Sequence, residues 1–209
     1  MAQKKNKPEI LLCGIDEAGR GPLAGPVAAA CVFIPSGIAN ENFWTGVRDS
    51  KKLSAKKREE LFTSITEHTH YGLALSSAQE IDELNIHHAS LLAMRRAFEA
   101  MVGCFSLPDG LTAQIDGKFC PDIPCPAQAV VGGDDLVLEI GAASILAKVT
   151  RDRIMSDLHR EYPHYGWDTN AGYGTAAHKN GLHLHGITPH HRKSYAPVRE
   201  AMELKQMTG

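Results

Sequence analysis

Cysteine is scarce and poorly placed for crosslinking: the five residues, Cys13, Cys31, Cys104, Cys120 and Cys125, are odd in number, widely spaced and include no C-x-x-C pair. That pattern excludes a disulfide framework and a zinc ribbon, and fits free thiols in a reducing cytoplasm. No uncharged stretch approaches the roughly 18–20 residues needed to span a bilayer. The first nine residues hold three lysines but run into a short apolar segment with no small-residue cleavage site, so no export signal is expected. Nor is there an excess of charge of either sign, with 22 Lys and Arg against 24 Asp and Glu and a net charge of −2. A global basic field for drawing in DNA or RNA is therefore missing, and any such contact has to rest on local clusters. Internal repeats, low-complexity tracts and linkers are absent as well, which leaves the 209 residues as one expected domain. At 43% hydrophobic and 22% charged the composition is ordinary for a folded protein. It excludes disorder and leaves function open.

The chain alternates short apolar runs with helical periodicities. Ile10 to Ile15 and Val27 to Phe33 have strand length and are joined by a glycine-rich turn. Ser54 is placed to cap a helix with Leu61, Phe62 and Ile65 on its apolar stripe, after which Tyr71, Leu73 and Leu75 alternate as a strand. Gln79 to Val102 predicts one long helix with its stripe at Leu84, Leu91, Met94, Phe98 and Met101. Strands follow at Leu111 to Ile115 and Ala127 to Val131, then a helix carrying Ile145, Leu146 and Val149 that ends near Pro163. Beyond Pro163 only Pro197 to Lys205 has a helical pattern. This order predicts an α/β domain with helices packed on a central sheet.

Two runs stop at an acid followed by a glycine-containing turn, at Asp16-Glu17 and at Asp116-Gly117, and a third acid, Asp134, follows Gly132-Gly133. Ligands of such sheets gather beyond the strand ends, so these side chains can converge. Two carboxylates about 4 Å apart repel by roughly 4 kcal/mol at an effective dielectric near 20, so a cluster demands protons or cations. Oxygen-only donors favour Mg²⁺ or Mn²⁺, with substrate phosphate completing the shell, which is a phosphoryl-transfer arrangement. Each acid alone is also an ordinary turn former. Composition and spacing thus reach metal-dependent phosphoryl chemistry as one reading and stop there. Three basic clusters, around Ser50 to Arg58, Lys148 to Arg153 and His190 to Lys193, read individually as solvated faces.

The stretch from Gly14 to Val27, GIDEAGRGPLAGPV, closely resembles the opening signature of the ribonuclease HII family. It is joined in order by Asp49 to Ser54, Ile81 to Ile86, Ile115 to Gly117, Ala142 to Asp152, Gly172 to Thr175 and His185 to Ser194, covering nearly the whole chain. The resemblance implies an RNase H-like fold, a five-stranded mixed sheet flanked by helices over about 10–160, with a helical C-terminal extension over about 161–209. It implies that Asp16, Glu17 and Asp116 hold metal and that Asp134 completes a second metal position, for two Mn²⁺ or Mg²⁺ ions with substrate bound. Gly19, Arg20 and Gly21 match the loop that meets the ribose 2′-hydroxyl, and Tyr173 matches the tyrosine that packs on the next deoxyribose. Ser50, Lys51, Lys52, Ser144, Lys148 and Arg192 are the implied further substrate contacts. The implied activity is hydrolysis on the 5′ side of ribonucleotides, in RNA/DNA hybrids and in DNA with embedded ribonucleotides, by a cytoplasmic monomer that removes misincorporated ribonucleotides. Many family members carry lysine where this chain has Gly132 and serine where it has Asp135, a change expected to loosen Asp134 and alter metal dependence.

Rival readings fit less well. A nucleotide-binding loop would need G-K-[ST] and a following helix, and the Gly19 to Gly25 loop has neither. His178, His183, His185, His190 and His191 match no zinc-ligand spacing. A noncatalytic nucleic-acid-binding module on the same fold is disfavoured by the presence of all four acids. The related ribonuclease HIII group carries an extra N-terminal domain and a different residue at the position of Arg20.

Overall fold

Seven consecutive apolar residues, VAAACVF, form strand β2 (Val27–Phe33), and all seven are buried. A strand buried on both sides needs cover on both faces, and the chain supplies it with two long helices. The structure, a computed structural model, describes residues 11–38, 42–104 and 110–208, the side chains of 48–52 and 206–208 excepted. Besides β2 the sheet contains β1 (Leu12–Ala18), β3 (His70–Ser76), β4 (Thr112–Asp116) and β5 (Ala127–Val130). Their order is β3-β2-β1-β4-β5, with β1 antiparallel to β2, β2 antiparallel to β3, and β1, β4 and β5 mutually parallel. This is the five-stranded mixed sheet that was expected.

Helices α1 (Ala55–His68), α2 (Ala78–Val102), α3 (Gly133–Leu136), α4 (Leu138–Glu161), α5 (Trp167–Asn170), α6 (Ala176–His185) and α7 (Ala196–Thr208) complete the regular structure, with 3₁₀ turns at Asn42–Lys52 and Pro163–Tyr165. Strand alternation divides the core. Cys13, Ile15, Cys31 and Ile115 face α2, where Ala93, Ala97, Phe98 and Met101 meet them. Ala30 and Val32 face α4 and pack with Ala142, Ala143, Ile145 and Leu146, under Leu61 and Ile65 of α1. A third cluster, with Leu23, Met155, Tyr165, Trp167, Leu182 and Val198, fastens the C-terminal region to the far end of α4 and to the loop after β1. All five cysteines are free thiols.

Three expectations need correction. Strand β1 does not stop at the acids: Asp16 and Glu17 pair with Ala30 and Ala29 of β2, so the ladder carries the strand on to Ala18. Leu84 is 40% exposed rather than part of the α2 stripe. Asn85, with φ 67°, interrupts that helix, and its Oδ1 accepts the N–H groups of His87 and His88, capping a second helical segment in a new phase. Helix α6 was not foreseen, because its sequence AAHKNGLHLH buries only His178, Gly181 and Leu182 and so shows no apolar stripe.

Candidate active site

The site grows from the register of two parallel strands. Ile15 pairs with Ile115, so Asp16 and Asp116 are the next residues along neighbouring strands and share one sheet face. On that face Gly14 has no room for a side chain: a Cβ would lie 2.2 Å from the Ile140 nitrogen. The start of α4 therefore lies directly on β1, and Ser144 comes within hydrogen-bond reach of Asp16. Asp16 is 6% exposed, and its Oδ1 accepts the Glu17 N–H at 2.7 Å. Burial pushes its carboxyl well above the usual carboxylate range and the Glu17 and Asp116 charges push it further, while the Ser144 hydroxyl pulls against them.

Glu17 follows the same logic, raised first by burial and also by the Asp116 charge, and opposed by the Arg20 guanidinium 3.2 Å away. Asp116 Oδ1 accepts the Gly133 N–H at 2.7 Å, which ties the end of β4 to the first residue of α3. The next residue, Asp134, is buried at 2% exposure. Gly132, before it, adopts a left-handed conformation with φ 67°, for which glycine is well suited, and Asp135 is exposed, where water screens its added charge.

All four predicted acids, from β1, β4 and α3, thus line one cleft of about 410 Å³, together with Gly19, Ser144, Lys148 and Tyr173. Among the described residues no three His, Cys, Asp or Glu side chains are drawn close enough to cage an ion by themselves. The donors are nevertheless all oxygens, and burial and neighbouring charge disfavour the ionised forms of Asp16 and Glu17. That chemistry fits hard divalent cations whose shells are completed by water and phosphate.

The loop after β1 is held from behind. Gly19 has φ +99°, and a Cβ there would lie 2.0 Å from Arg151 Nε, so both backbone and space require glycine. Arg151, 1% exposed, donates to the carbonyls of Ala24, Pro26 and Ala171. Burial, with the Arg192 charge second, brings its guanidinium down to about 10, still protonated at neutral pH. Arg192 was expected to extend a phosphate track, but it is fully buried and donates to the carbonyls of Gly19, Arg20 and Gly25 and to the Tyr195 hydroxyl. The His190 to Lys193 run is accordingly no solvated face, since His191 is also buried.

Arg20 remains half exposed beside Glu17. Tyr173 is 50% exposed, and its ring edge would be 3.4 Å from a Cβ on Gly21, so loop and tyrosine are neighbours at the cleft mouth. Lys148 faces the cleft while paired with Asp152 at 2.7 Å. Ser50, Lys51 and Lys52 lie on the first 3₁₀ turn, and their side chains are outside the described residues. Sequence reasoning read Arg58, which also lines the cleft, and Arg151 only as members of basic clusters and Arg192 as a phosphate contact, whereas the two buried arginines bond mainly to carbonyls more than a hundred residues away. No local pattern marks such contacts.

A mixed sheet of this order carrying acids on adjacent parallel strands defines an RNase H-like, carboxylate-based nuclease class. The family model "Ribonuclease HII" matches residues 13–198. Ribonuclease HII of Magnetococcus marinus is 52% identical over 200 residues, 95% of this chain and 91% of that protein. Among solved structures, ribonuclease H2 of Pyrococcus horikoshii OT3 superposes with TM-score 0.75 at 25% identity, covering 94% and 99% of the two chains. Bst-RNase HIII in complex with Mn²⁺ shares the fold, with TM-score 0.78 at 16% identity over 95% and 71%. The chain belongs to the ribonuclease HII family, metal-dependent endoribonucleases that cleave RNA in RNA/DNA hybrids and at embedded ribonucleotides. No helix among the described residues is long and apolar enough to cross a membrane.

Proposed function

We propose that the protein hydrolyses the phosphodiester on the 5′ side of a ribonucleotide, leaving 3′-hydroxyl and 5′-phosphate ends, with Asp16, Glu17, Asp116 and Asp134 holding two Mn²⁺ or Mg²⁺ ions when substrate is bound. The convergence of four acids from three separate elements on one cleft carries this reading. Bound cations there supply charge neutralisation at the scissile phosphate and activation of water for in-line displacement. The chain's own residues do the rest. Ser144 and the Glu17 N–H orient Asp16, Arg20 restrains Glu17, and the Gly133 N–H fixes Asp116.

The backbone of Gly19, Arg20 and Gly21 meets the ribose 2′-hydroxyl, the group that distinguishes RNA from DNA. Without Cβ atoms at both glycines the loop approaches the sugar closely. Tyr173, beside Gly21, packs on the following deoxyribose, so the pair reads an RNA-to-DNA junction. Lys148, with Ser50, Lys51 and Lys52, contacts phosphate and positions the duplex without reading sequence. Arg192 serves the loop rather than the phosphates. The protein acts as a single-domain cytoplasmic monomer in removing ribonucleotides from DNA.

The test is a duplex with one ribonucleotide, incubated with each metal. Wild type should nick it 5′ to the ribonucleotide, and Asp16→Asn should be slower by at least about a hundredfold while still binding the duplex. Binding without nicking by wild type in either metal would establish the noncatalytic module instead.

A further inference from the structure

Behind Tyr173 lies a buried chain of hydrogen bonds that the catalytic site does not use. Thr188 donates its backbone N–H to His191 Nδ1 at 2.9 Å, so that nitrogen is an acceptor and the neutral ring carries its proton on Nε2. His191 Nε2 lies 3.0 Å from His178 Nε2, which also receives the Trp167 indole N–H at 3.2 Å. An indole nitrogen only donates. His178 Nε2 is therefore bare, and its proton sits on Nδ1, 3.0 Å from the Tyr173 carbonyl oxygen. A donor-only group at each entrance and an acceptor-only carbonyl at the exit leave one arrangement of protons for the whole chain. His178 and His191 are 0% and 1% exposed, and burial depresses the basicity of both rings, consistent with two neutral imidazoles.

The exit point lies on the tyrosine's own turn, whose outer side carries the half-exposed ring. Ala171 and Gly172 both have positive φ, and the turn is closed by the Gly172 N–H on Asn170 Oδ1 and the Leu23 N–H on the Gly172 carbonyl. His178 adds a side-chain tie from helix α6 to the Tyr173 carbonyl, which also accepts the Thr175 N–H at 2.8 Å. We propose that the His178–His191 pair, keyed by Thr188 and Trp167, is a positioning element that sets Tyr173 for recognition of the sugar after the ribonucleotide and thereby sets the preference for a single embedded ribonucleotide over a continuous hybrid. This rests on the sugar-reading role given to Tyr173 above.

Two conservative variants separate positioning from mere stability. His178→Asn keeps an N–H near the Nδ1 position but offers nothing to Trp167 and His191. His178→Gln reaches the Nε2 position, satisfies those interior donors and loses the tie to Tyr173. Positioning requires a crossover. The Asn variant is the less stable of the two yet keeps the wild-type ratio of kcat/KM on a single-ribonucleotide duplex to that on a hybrid, and the Gln variant loses about tenfold in that ratio, of the order expected for a sub-ångström to 1 Å misplacement. A ratio that simply follows thermal stability, with Gln at or above Asn, overturns the proposal.

Nitrogen-15 spectra of the wild-type imidazoles give a check that needs no variant: the His178 proton belongs on Nδ1, and finding it on Nε2 overturns the proposal equally. Tyr173→Ala distinguishes the underlying reading. If that variant keeps the ratio, the sugar-reading role fails. If it loses the ratio and His178→Gln does not, only the positioning role fails.

Discussion

Lowering the pH should destabilise this protein through His191, and the size of the effect can be worked out. The ring is held neutral inside the C-terminal cluster, with burial as the main cause and the neighbouring His178 and His190 as further ones, and its pKa falls from 6.5 to about 3. Trp167, Tyr165 and Thr188 are its other close neighbours, and none offers it a negative charge. Because the folded value lies below the unfolded one, the unfolded chain takes up the proton first. The stabilisation is complete above about pH 6.5 and is lost progressively as the pH falls towards about 3. Between pH 7.5 and pH 5 the loss is about 2 kcal/mol, set almost wholly by protonation of the unfolded chain.

For a chain of this length that corresponds to roughly 4–8 °C in melting temperature. Asp16 and Glu17, raised by burial, contribute with the opposite sign, so wild type alone gives a mixed curve. Thermal and urea unfolding of wild type and His191→Gln, both with chelator, isolate the histidine. The drop from pH 7.5 to pH 5 should be smaller in the variant by about 2 kcal/mol. Equal drops in the two proteins would show that His191 is not a buried neutral base.

The remaining expectations concern the loop and the phosphate contacts. Gly19→Ala should destabilise by at least about 3 kcal/mol, measured by urea unfolding, because a Cβ at positive φ adds strain and displaces the buried Arg151. Arg192→Met should destabilise by about 3–5 kcal/mol while leaving the salt dependence of hybrid binding unchanged, since its guanidinium holds carbonyls rather than phosphate. Lys51→Ala, by contrast, should lower the slope of log K against log salt by about 1 without affecting the melting temperature, and an unchanged slope would remove that lysine from the phosphate track.

The four candidate acids were legible because Asp16-Glu17 and Asp116 close apolar runs just before glycine-containing turns, Asp134 follows Gly132-Gly133, and the signature from Gly14 to Val27 is specific. Their convergence was less so. It depends on the Ile15–Ile115 register and on a glycine at position 14 that lets α4 lie on the sheet, neither of which periodicity reveals. The α2 stripe misled at Leu84 because a single residue in a left-handed conformation, Asn85, resets the helical phase. Helix α6 was hidden because its buried face is polar and small, His178 and Gly181 beside one leucine. Arg151 and Arg192 read as surface cations, since arginine rarely buries without a charged partner, and only the folded chain supplies carbonyls in its place.

The most direct test of the carboxylate cluster is thermal unfolding of wild type and Asp16→Asn at neutral pH, each with chelator and with saturating Mn²⁺. Removing a buried charge that its neighbours oppose should make the metal-free variant at least as stable as wild type, and Mn²⁺ at a hundred times its dissociation constant should stabilise wild type by about 2.7 kcal/mol and the variant by much less. A metal-free variant that is clearly less stable, or an equal Mn²⁺ shift in both proteins, would contradict a cluster held in tension for divalent cations.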